Sequence, residues 1–145
     1  MRLALRRFAF LYVVAAGSAA SACDGLAITD AWIREPPPGA NAVAAYMTLA
    51  NHGDETLVLD ALTSPGFAHG MLHETVAQDG RVRMRHVPRL SLAPGERVQL
   101  APGALHGMLM QPTAALPRAG EHVELVLGCS GKSTRVMAIV ARDAP

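Results

Sequence analysis

Cysteine, aromatic side chains, basic clusters and long apolar runs are all scarce in this sequence, and each scarcity excludes something. The two cysteines, Cys23 and Cys129, allow one disulfide at most. Cys129 has no histidine after it, so the Cys-His-Met ending of a blue-copper electron carrier is missing. Aromatic residues make up only 4 % of a chain that is half apolar, a globular composition without a disordered signature. Ser130 has glycine after it but no nucleophile-elbow context, which argues against a serine hydrolase. No internal repeat or low-complexity segment stands out. A length of 145 residues suits one domain with a single core.

The one sustained apolar run, Phe8 to Ala16, is too short to span a bilayer. It follows Arg2, Arg6 and Arg7 and precedes the small residues Ala20-Ser21-Ala22, the build of a secretory signal peptide over residues 1–22. The mature domain is therefore expected over residues 23–145, in the periplasm. Without the three leader arginines, 10 basic residues face 12 acidic ones, a net charge of about −2. No basic patch remains for nucleic acid or anionic lipid. Export makes a Cys23–Cys129 disulfide possible. Ala-Ser-Ala-Cys also loosely resembles a lipoprotein cleavage box, so acylation of Cys23 is the competing fate.

What is abundant is turn chemistry. PPPG, NHGD, SPG, QDG, two APG triplets, RAGE and CSGK cut the chain into short pieces and leave little room for long helices. Alternation then predicts strands near 26–34, 42–50, 56–63, 68–77, 82–87, 97–101, 105–111, 122–128 and 133–141, an all-β sandwich or barrel. Met47 and Met137 lie in apolar strands and are expected in the core. His52 and His122 flank turns and are expected on the surface.

Four of the six methionines after the leader and four of the six histidines fall between residues 69 and 110. In AHGMLHETV, positions 69, 71 and 73 share one strand face. Met84 and His86 do so in VRMRHV, as do His106, Met108 and Met110 in LHGMLM. The QDG turn predicts a hairpin joining the first two segments. Thioether sulfur favours Cu(I), whereas Zn²⁺ and harder cations prefer thiolate, imidazole or carboxylate. Neutral thioethers also suit an oxidising compartment, where a cysteine ligand is at risk. A zinc hydrolase built from His69, His73, His106 and Glu74 is disfavoured, because Glu74 follows His73 and points to the opposite face.

His73, Met84, His106 and Met108 read H-x10-M-x21-H-x-M. That pattern resembles the signature of the periplasmic copper chaperones called PCu(A)C. DAWIREPPPGANAVAAYMTLANHGDETLVL (30–59) and APGERVQLAPGALHGMLM (93–110) are also similar to that family, so the resemblance covers nearly the whole mature chain. It implies a cupredoxin-like Greek-key β-sandwich that binds one Cu(I) through His73, Met84, His106 and Met108. It implies no catalysis, a monomer, and delivery by ligand exchange to a copper acceptor. That acceptor would be an oxidase subunit or a thiol-bearing copper chaperone serving the binuclear centre of cytochrome c oxidase. Family members often carry a methionine soon after the first histidine, where this chain has Thr75, and a proline near His86. Met71, His86 and Met110 are then possible auxiliary donors, for an entry path or a second site. The alternatives are copper storage or detoxification, and a metal-free interaction module.

Overall fold

Extended segments bounded by glycine and proline turns can satisfy their backbone groups only by pairing with each other. The computed structural model describes residues 23–145; the signal peptide expected over 1–22 lies outside the described residues. The described residues form ten strands: β1 (Leu26–Arg34), β2 (Ala42–Asn51), β3 (Leu57–Thr63), β4 (Phe67–Gln78), β5 (Arg81–Val87), β6 (Leu90–Leu92), β7 (Arg97–Leu100), β8 (Leu105–Pro112), β9 (His122–Cys129) and β10 (Lys132–Ala141). Nine correspond to the segments that alternation predicts. The tenth, β6, is too short to show a period of two. It forms because Leu90 and Leu92 pair with Leu59 and Leu57 of β3.

The hydrogen-bonded order is β5-β4-β8-β2-β1-β10-β9-β3-β6, with β7 continuing the β2 edge beyond β8. This ribbon folds over, so that β3, near one end, lies against β4 and β8, near the other. Leu62 of β3 meets the backbone at Gly70 and Gly107. A register shift between Thr29 and Trp32, with Asp30 at φ 54°, bends β1. Past that bulge, Trp32 and Ile33 pair with β2 on one side and, in parallel, with β10 on the other.

Between the layers lie Ile33, Leu49, Leu59, Leu72, Leu92, Leu109, Leu125, Leu127 and Val140, all buried. Asn51 is buried with them and pins the NHGD turn. Its amide donates to the Glu55 and Leu92 carbonyls, and its oxygen accepts from the Gly53 N–H. Cys23 and Cys129 are joined in a disulfide at the edge of this core, their Cα atoms 6.0 Å apart.

One core expectation is corrected. Met47 is buried, but Met137 is 54 % exposed. β10 is central in the sheet, yet only its Ala138 and Val140 face is covered. Met137 and Ile139 stand on the open outer face, which apolar composition alone did not reveal. His52 and His122 are exposed, as their turns suggest.

Candidate metal centre

The three donor-bearing segments become adjacent strands, β5-β4-β8. β4 and β5 are linked by Asp79 and Gly80 alone, both with left-handed backbone (φ 52° and 70°), the two-residue turn whose twist matches paired strands. β4 pairs with β8 over a longer sequence separation. Residues 69–72 and 106–109 both read HGML, and these two copies run antiparallel against each other.

That pairing fixes which side chains meet. His69 lies opposite Met110, Met71 opposite Met108, and His73 opposite His106. On the other side of β4, His73 lies opposite His86 and Thr75 opposite Met84. Directly opposed residues on one face have Cβ atoms about 4.5–5.5 Å apart, within reach of a shared ion for side chains this long.

The other face of the same strands belongs to the core. Leu72 and Leu109 are buried in it, and the glycine of each HGML copy presses against β3. A Cβ at Gly70 would overlap the Leu62 carbonyl oxygen and come within 2.9 Å of its carbon. One at Gly107 would lie 2.9 Å from Leu62 Cδ2 and 3.3 Å from Ala45 Cβ. The donors flanking these glycines are therefore turned outward. Met71, Met84, Met108 and Met110 neither belong to the core cluster nor pack against it. Filling the core, the usual employment of methionine, does not account for them.

His73 is the middle of a row of three imidazoles. Its ring centre is 5.8 Å from that of His86 and 6.1 Å from that of His106, edge-on to both. Two imidazoles that hold one ion, each nitrogen about 2 Å from it, have ring centres roughly 5–6 Å apart. His106 is buried and its Nδ1–H donates to the Ala104 carbonyl at 2.8 Å, which assigns the proton to Nδ1 and leaves the Nε2 lone pair free. His73 Nδ1 is buried with no hydrogen-bond partner, a state that costs about 1–3 kcal/mol unless something binds it. Burial holds the His73 imidazole below the ordinary histidine value of 6.5, and the His106 and His86 rings push the same way. The ring thus stays neutral, with an open lone pair, to lower pH than a free histidine.

Among the described residues no three His, Cys, Asp or Glu side chains gather closely enough to hold a metal by themselves. Glu74 is on the opposite face, in an ion pair with Arg85, as its position after His73 requires. Both cysteine sulfurs are in the disulfide. The remaining soft donors on this face are the thioethers of Met71, Met84, Met108 and Met110.

Of the four residues in the H-x10-M-x21-H-x-M pattern, His73 and His106 are directly opposed and Met108 is one rung away on β8. Met84 is one rung away on the other side and is 63 % exposed at the sheet edge. The structure places His86 as near to His73 as His106 is. It also places exposed His69 beside Met110. The sequence names His86 only as an auxiliary donor and gives His69 no copper-ligand role; the strand pairing raises both.

A family model described as "Putative lipoprotein LpqE-like" matches residues 26–140. The chain belongs to the LpqE-like family. This LpqE-like chain is 31 % identical over 121 residues to "Putative lipoprotein Lxx21020" of Leifsonia xyli subsp. xyli, covering 83 % of the chain and 71 % of that relative. Among solved structures, the Cu(I) form of DR1885 from Deinococcus radiodurans superposes with a TM-score of 0.66 at 28 % identity, over 87 % of this chain and 84 % of DR1885. The copper-bound PCuAC domain of PmoF2 gives 0.67 at 24 % identity, over 83 % and 94 %, which speaks to the fold alone. The expected PCu(A)C likeness and its cupredoxin-like all-β fold are thus borne out for this LpqE-like protein.

Proposed function

We propose that the protein is an exported Cu(I) carrier that holds one copper ion through His73, Met84, His106 and Met108 and releases it by ligand exchange. The observation that carries this is the outward face of β5-β4-β8, where imidazoles with free or unpartnered nitrogens stand beside methionines that the core does not use. Two imidazoles and two thioethers suit Cu(I), because thioether sulfur is a poor ligand for Zn²⁺ and Mg²⁺. DR1885, 28 % identical, has been solved with Cu(I).

Exchange needs a ligand that can leave. Met84, 63 % exposed at the sheet edge, departs without uncovering a charge, so an acceptor's donor can take its place while His73 and His106 still hold the ion. The acceptor is proposed to be an oxidase subunit or a thiol-bearing chaperone serving the binuclear copper centre of cytochrome c oxidase. Residues 1–22 are proposed to be the cleaved export signal. Cys23 is proposed to stay in its disulfide with Cys129; acylation of Cys23, the fate that the lipoprotein-named family and relative support, is the competing outcome because one sulfur cannot do both.

Competition with a Cu(I)-specific chelator tests the site. The protein should withdraw at least one equivalent from bicinchoninate, and His106→Ala and Met108→Ala should each weaken that binding. Unchanged affinity in both variants would refute the ligand set. No binding at all would favour a metal-free interaction module.

A further inference from the structure

We propose that the far end of the same face holds a second, more exposed Cu(I) position formed by His69, Met71 and Met110. The inference rests on the proposal that this face carries Cu(I). It adds a site that the H-x10-M-x21-H-x-M pattern does not contain.

The face offers four imidazoles and four thioethers, whereas one Cu(I) takes roughly four donors. After His73, Met84, His106 and Met108 are assigned, the remainder does not scatter. His86 stays beside His73. The other three meet at one place, because His69 is directly opposite Met110 and Met71 is one rung away on the same face of β4. Neither methionine packs on the core, and His69 is exposed. On the β2 side, Met110 and Met108 face only Ala42 and Ala44, so small methyl groups flank the long thioethers and leave room above them. The tight approach of Gly70 to Leu62 holds the backbone between His69 and Met71 down, which keeps both donors turned outward.

One imidazole with two thioethers is a soft, uncharged set that selects Cu(I) over Cu(II) and Zn²⁺. Its histidine is exposed, whereas His106 in the first site is buried. The second position therefore binds more weakly and fills after the first. Met71 and Met108, directly opposed, lie between the two positions and give an ion a thioether on either side of the step.

The test is a Cu(I) titration of the full chain in ascorbate, which leaves the disulfide intact, read by bicinchoninate competition and by the methyl NMR signals of ¹³C-methionine. Two equivalents of unequal affinity are expected, with the Met110 and Met71 methyls moving on the second. His69→Ala combined with Met110→Leu should remove the weaker equivalent and leave the tighter one within about twofold. His106→Ala combined with Met108→Leu should remove the tighter one. His69, Met108 and Met110 stand on the outward face, His106 is buried within it, and a cooperative thermal unfolding transition of each metal-free variant verifies that it folds. A single equivalent in the unsubstituted protein, or two equivalents surviving in the His69/Met110 variant, overturns the second position and leaves the carrier standing. Failure to bind any Cu(I) overturns both. Ag(I) titration of the unsubstituted protein by the same NMR signals gives an independent reading free of copper oxidation.

Discussion

Among the described glycines, Gly70 has the closest obstacle to an added Cβ. An alanine there puts its Cβ into the Leu62 carbonyl group, with Leu109 Cδ2 at 3.2 Å on another side. The obstacle is backbone, so relief requires β3 and β4 to separate across the core. Overpacking of this kind typically costs 1–3 kcal/mol, and a backbone obstacle places Gly70→Ala at about 3 kcal/mol. For a domain of this size that corresponds to a fall in Tm of roughly 10 °C. Two further substitutions calibrate the argument. At Gly107 the nearest atom is the movable end of the Leu62 side chain, 2.9 Å away, so Gly107→Ala should cost less, about 1–2 kcal/mol. Gly66 has nothing within 4 Å and no left-handed backbone, so Gly66→Ala should stay within about 0.5 kcal/mol of the parent. Urea unfolding followed by circular dichroism would rank the three. Gly70→Ala should also weaken Cu(I) binding, because lifting β4 displaces His73 relative to His106. A Gly70→Ala protein as stable as Gly66→Ala would refute the claim that close approach of the layers dictates the outward donor face.

Single substitution of His106 should weaken Cu(I) binding by at least about 100-fold, more than loss of a supporting hydrogen bond typically does, as measured by chelator competition. The His73 contribution to the stability of the metal-free protein should be flat well above pH 6.5, where the ring is neutral both folded and unfolded. Below that value the unfolded chain takes up the proton first, since the folded ring titrates lower, so stability should fall with pH until the folded value is passed. A pH series of urea midpoints in which His73→Ala shows the same fall as the parent would contradict this. Cys129→Ser should destabilise by about 3–4 kcal/mol, because the bridge spans 106 residues of sequence, and intact-mass measurement of the parent should show the mass of a disulfide with no added acyl chain.

Much of this structure was legible before folding was considered, because turns and alternation are local. Asp79-Gly80 announces its hairpin, and the outward grouping of His69, Met71 and His73 follows from a period of two. The non-local facts were not available in the same way. Nothing in AHGMLHETV and LHGMLM states that they pair, or in which register, and that register makes His73 face His106 and His69 face Met110. β6 exists only because β3 is beside it, and Met137 is exposed because, among the described residues, no element covers the outer face of β10. His86 illustrates both limits: its face was readable, but its equal standing with His106 around His73 required the strand order β5-β4-β8.

The most direct test of the carrier is X-ray absorption at the copper edge of the protein loaded with one equivalent of Cu(I). Two imidazoles and two thioethers predict a first shell of about two nitrogens near 2.0 Å and about two sulfurs near 2.3 Å. Met108→Leu should remove one sulfur from that shell and leave the nitrogens. A shell of nitrogen and oxygen alone, or one unchanged by Met108→Leu, would contradict a site built from His73, Met84, His106 and Met108.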